Sequence, residues 1–122
     1  MMNILYVAFG GALGASLRYG AGFAFGSGAQ ATLFVNVFGS LALGALMGWF
    51  TTRSFDGESA VMLFMGVGVL GAFTTFSAFS RETVHFLLQG EMLRGALYIG
   101  LNTVGAIGAF IVALLATQRI LS

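Results

Sequence analysis

The chain has no cysteine and no lysine, a single histidine and only four acidic residues. Without cysteine, neither a disulfide framework nor a thiolate metal site can form, and the redox compartment cannot be read. One histidine and no paired carboxylates at membrane depth leave nucleophilic and metal-assisted chemistry without their parts. Nor is there a phosphate-binding glycine loop. Five arginines against four carboxylates give a formal charge of +1, which argues against nucleic acid as a partner. What fills the chain instead is apolar. Hydrophobic residues make up 58% of it and charged residues 7%, with a mean hydropathy of +0.97. A soluble domain of 122 residues would expose far too much of that surface, so the class is an integral membrane protein.

Four apolar segments can be drawn, at about 3–25, 30–51, 59–89 and 92–119, each near or above the roughly 20 residues a spanning helix needs. The first is expected to remain with the chain, being too long and lacking the basic start and cleavage region of a removable signal peptide. The breaks are short: Gly26 to Gln30 with Ser27, the polar Thr51 to Glu58, and Gln89-Gly90-Glu91. Such connections hold no soluble domain, so residues 1–122 form one transmembrane unit and the function lies within the lipid bilayer.

Residues 71–80 read Gly-Ala-Phe-Thr-Thr-Phe-Ser-Ala-Phe-Ser, in the middle of an apolar segment. Each hydroxyl there must be hydrogen-bonded or hydrated, because an unpaired polar group in hydrocarbon costs several kcal/mol. Gly71 followed by β-branched Thr74 and Thr75 predicts a break in the third helix near 71–75. Irregular backbone at membrane depth survives only where it is buried in protein or faces a cavity or ion. Phe76 and Phe79 are three apart, as are Ser77 and Ser80, so each pair shares a face. Two rings beside hydroxyls can offer their positive edges to an anion.

The remaining segments carry sparser polar groups. Gly10 and Gly14 form a Gly-x-x-x-Gly pair for close helix approach. Arg18, one turn on, reads either as a snorkelling side chain or as an inward charge beside an anion's route. Thr32, Asn36, Ser40, Gly44 and Gly48 recur at steps of four and form one stripe, a packing seam in which only Asn36 exceeds what packing needs. Tyr98, Asn102 and Ala106 repeat that spacing. Arg81 and Glu82 are adjacent, are expected to point apart, and are placed toward a helix end. Arg53 and Arg119 would share one membrane side, with Arg94 and nearby Arg18 on the other. Orientation follows the arginine excess in short loops, which here is close to nil, so insertion both ways and an antiparallel dimer are expected.

With these residues in hand, the sequence resembles the Fluc or CrcB family of bacterial fluoride channels. The matching pieces are Gly10 to Tyr19, Thr32 to Asn36, Gly71 to Glu82, and Asn102 to Gly105, in family order; the Thr-Thr-Phe-Ser-x-Phe-Ser piece is the specific one. The resemblance implies a passive fluoride exporter in the bacterial inner membrane. It implies an all-α fold of four transmembrane helices with a broken third, assembled as an antiparallel, dual-topology homodimer with two pores. Phe76, Phe79, Asn36, Tyr98, Asn102, Thr32, Thr75 and Ser77 would line the fluoride path, with Arg18 and Glu82 at a vestibule. A structural sodium ion would sit on backbone carbonyls of Gly71 and Thr74 from both subunits. Ala106 stands where family members often carry serine, and is left out of the pore. The rival is a small dual-topology multidrug exporter, which would need an acidic residue deep in a helix, and Glu82 is the one candidate.

Overall fold

The computed structural model describes residues 1–26, 28–54, 56–57 and 59–122; Ser27 and Glu58, placed in turns above, lie outside the described residues, as does Phe55. The described residues form helices α1 (Met2–Phe25), α2 (Ala29–Arg53), α3 (Gly71–Phe73), α4 (Phe76–Leu88), α5 (Met92–Gly100) and α6 (Ala106–Leu121). A π-helical stretch, Met62–Leu70, leads into α3, and another, Leu101–Gly105, joins α5 to α6 without interruption.

Among the described residues three helices are long and apolar enough by composition alone to cross a membrane, Ala29–Arg53, Met62–Leu88 and Met92–Leu121. Beside them α1 is a further apolar helix of 24 residues, carrying Arg18 and five glycines (10, 11, 14, 20 and 22). Packing explains two of these glycines. A Cβ at Gly10 or Gly14 would collide with the carbonyls of Phe64 and Val69, so their absence lets α1 lie directly on the third helix. The chain is all-helical and multi-pass. Large apolar side chains such as Phe9, Val104 and Ile107 stay exposed around it, as a lipid-facing surface requires.

The α2 stripe divides by function. Gly44 and Gly48 lie against α6, where a Cβ would meet the backbone of Phe110 and Leu114. Thr32 and Asn36, nearer the start of α2, turn their polar atoms toward the third and fourth segments. Between them Val35 is the most deeply buried side chain and packs with Ala21, Phe73 and Phe34.

The expected break is present, though not at the glycine. Gly71 is helical, with φ −62° and ψ −39°. Thr74 (φ −82°, ψ 156°) and Thr75 (φ −151°, ψ 113°) are extended. β-Branched side chains favour that region, and Thr75 has the hydroxyl to begin a new helix.

Candidate functional site: two cavities at a broken helix

A continuous helix would send the Thr75 N–H to the Gly71 carbonyl and the Ala78 N–H to the Thr74 carbonyl. Both donors are diverted. The Thr75 N–H donates to Asn36 Oδ1 at 2.8 Å, and the Ala78 N–H to the Thr75 hydroxyl at 3.2 Å, which makes Thr75 the N-cap of α4. Asn36 returns Nδ2–H to the Thr75 carbonyl at 3.1 Å, so one side-chain amide pairs both backbone groups of Thr75. On the other flank, Arg18 Nε donates to the Ala72 carbonyl at 3.0 Å. The Gly71 and Thr74 carbonyls have thus lost their helical donors. The Thr74 hydroxyl approaches the Gly71 oxygen at 3.4 Å, and is nearer the Leu70 oxygen at 3.1 Å.

A narrow groove of about 220 Å³ opens beside the break, walled by Asn36, Ser40, Thr74, Thr75, Phe76, Phe79, Asn102, Thr103 and Ala106. None of these is charged. The Phe76 and Phe79 rings meet edge to face at 5.3 Å. Both amide hydrogens of Asn36 are occupied, one by Thr75 and the other by Asn102 Oδ1 at 2.9 Å. Asn102 Nδ2 donates to the Tyr98 carbonyl at 3.1 Å, and the same amide also hydrogen-bonds the Tyr98 hydroxyl.

On the far side of Thr75 lies a wider cavity of about 580 Å³, whose wall includes Arg18, Thr32, Arg81 and Glu82. Glu82 is buried, and its carboxylate accepts from the Thr32 hydroxyl at 3.1 Å and the Tyr98 hydroxyl at 2.5 Å. The exposed guanidinium of Arg81 folds back onto it at 3.4 Å. One expectation is corrected here: Arg81 and Glu82 do pair, because the long arginine side chain bends over its neighbour. Glu82 lies six residues from the end of its helix at Leu88, and its side chain is covered.

Residues 5–114 match a family model described as "CrcB-like protein, Camphor Resistance (CrcB)". The chain belongs to the CrcB family. This CrcB chain is 42% identical over 125 residues to a protein of Hyphomonas neptunium named "Fluoride-specific ion channel FluC", with 98% of each covered. Relatives of the same name in Methylobacterium nodulans (42% over 123 residues, 98% of each chain) and Idiomarina loihiensis (42% over 120 residues, 94% and 92%) are equally similar. These relatives are named as ion channels, not as enzymes.

The CrcB chain gathers most of the residues singled out from its sequence, in two groups. Asn36, Thr75, Phe76, Phe79 and Asn102 share the groove. Thr32, Arg18 and Glu82 share the wide cavity. Tyr98 lines neither; its hydroxyl holds Glu82 and its ring packs 5.6 Å from Phe79. Ser77 is exposed, its hydroxyl 3.2 Å from that of Thr75. Phe79 is 8% exposed and Phe76 is 76% exposed, so only the first ring is enclosed within one chain. Ala106 stands in the groove wall; its spacing of four from Asn102 was the signal for it. Among the described residues no three His, Cys, Asp or Glu side chains cluster to hold a metal.

Proposed function

We propose that the chain is a passive, fluoride-selective channel, and the observation that carries this reading is the neutral groove beside the break. Fluoride is small and strongly hydrated, so a pore must replace its water with donors. The ring edges of Phe76 and Phe79, among neutral amide and hydroxyl side chains, supply such a lining without the deep trap that a buried cation would create. The names of the relatives support the same substrate. Asn36 then serves by holding Thr75 and Asn102 in place, and Arg18 and Glu82 belong to the vestibule.

The working unit is an antiparallel, dual-topology homodimer in the bacterial inner membrane. Support comes from the near-absence of charge bias between loops and from the exposure of Phe76, whose ring needs a partner to enclose it. A sodium ion fits the carbonyls of Gly71 and Thr74, since both have lost their helical donors and neutral oxygens suit a dehydrated monovalent cation. When bound, it would tie the two breaks together at the dimer axis. Dimer stability should therefore fall after exchange into a large organic cation; an unchanged dimer would remove the ion from the account.

The multidrug-exporter reading gains a buried mid-helix carboxylate in Glu82, but both oxygens of that group are held by neighbouring side chains. Fluoride efflux from liposomes, with and without valinomycin and with no proton gradient, separates the two. Efflux driven by potassium current through valinomycin is expected. Efflux that requires a proton gradient would favour the exporter.

A further inference from the structure

We infer that Arg18 is a positioning residue for the ion path: it keeps the third helix broken by occupying the Ala72 carbonyl, the acceptor the helix would need in order to close. In an unbroken helix that carbonyl would receive the Phe76 N–H, the first helical N–H after the break. It receives Arg18 Nε instead, at 3.0 Å. A charged donor forms a stronger hydrogen bond than a backbone amide, so the guanidinium wins this competition.

The reach of Arg18 is fixed by the glycine seam before it. Gly10 sits on Phe64 and Gly68, and Gly14 on Val69. Arg18, the next residue at a step of four, then falls against Ala72, three residues beyond Val69. The half-buried guanidinium continues a run of backbone contacts and is not lifted toward water as a snorkelling side chain would be. The break is consequently gripped from two sides. Helix α1 takes the Ala72 carbonyl through Arg18, and α2 takes the Thr75 N–H through Asn36. If either grip is released, a helical hydrogen bond can form across residues 71–76, the Phe76 ring turns, and the groove loses one wall.

This account deepens the fluoride-channel reading through its flux measurement, while its exchange measurement stands apart from it. The test uses the full-length chain in lipid, comparing wild type with R18L, R18Q and R18K. Hydrogen–deuterium exchange at the Phe76 amide and fluoride efflux from liposomes are read in parallel. In R18L the Phe76 amide should exchange about tenfold more slowly, having gained a helical acceptor, and efflux should fall by about the same factor. R18K should restore both, because a lysine Nζ extends at least as far as the arginine Nε that makes the contact. R18Q, with a shorter neutral donor, should fall between, and it carries the test if R18L fails to assemble. Unchanged Phe76 exchange in R18L or R18Q would overturn the inference. So would equal loss of flux in R18L and R18K with wild-type exchange in both, which would assign Arg18 to direct contact with the ion. Slowed exchange with no fluoride efflux even from wild type would leave the positioning role intact and remove the fluoride reading.

Discussion

Two cavities meet at Thr75 and are built from opposite chemistry. The wide one has Arg18, Arg81 and Glu82 on its wall, and the narrow one has no charged side chain at all. Size and charge vary together for a physical reason. In a wide, wet space charges are screened and can gather ions without holding them. At a constriction, a unit charge 4 Å from the ion is worth about 4 kcal/mol even at an effective dielectric of 20, enough to stall permeation. The wide cavity is thus suited to collecting anions, and the groove to passing one through dipoles and ring edges.

The largest expected break in this comparison is Asn36→Asp. It puts a charge into the neutral groove and removes both donors, leaving the Thr75 carbonyl and Asn102 Oδ1 facing a carboxylate. With two half-buried hydrogen bonds lost and a charge added, fluoride efflux should fall by about a hundredfold or more. A variant that keeps even a third of wild-type efflux would show that neutrality here is incidental.

A smaller effect is expected from Thr75→Val, which keeps the β-branched shape and removes the cap of α4. Losing such a cap costs about 1 kcal/mol. The thermal midpoint should drop by a few degrees and efflux by several-fold, while Thr75→Ser, which retains the hydroxyl, should restore both. Equal behaviour of Val and Ser would mean the hydroxyl is dispensable.

The third comparison sets the two rings against each other. Phe79→Ile should cost about 1–2 kcal/mol of stability as well as flux, since Phe79 is enclosed by its own chain. Phe76→Ile, at a position exposed in one chain, should reduce flux with little change in the stability of the monomer. Wild-type flux from both would reduce the rings to packing.

Much of this site was legible before any coordinates. The paired β-branched threonines announced the break, and the steps of four that relate Thr32 to Asn36 and Asn102 to Ala106 placed those side chains on common faces. The destinations of charged side chains were not legible. Arg18 could be read as snorkelling because its acceptor is a backbone carbonyl 54 residues away, reached through a register set by Gly10 and Gly14. Nothing in the segment of Glu82 itself shows that Thr32 and Tyr98, from two other helices, cover its carboxylate. The commitment of both Asn36 hydrogens also depends on three helices converging, which no single segment reveals. Nor does composition separate, within α1, the glycines at 10 and 14 that touch the third helix from those at 11, 20 and 22, where a Cβ would meet nothing.

The most direct test of the division between a collecting vestibule and a selecting groove is to measure fluoride and chloride efflux side by side for wild type and an Arg81→Gln/Glu82→Gln double variant, at low salt and at about tenfold higher salt. The account predicts that the double variant changes the fluoride rate mainly at low salt and still rejects chloride, because selectivity resides in the groove. Chloride efflux approaching that of fluoride in the double variant would contradict it and place selectivity in the charged cavity.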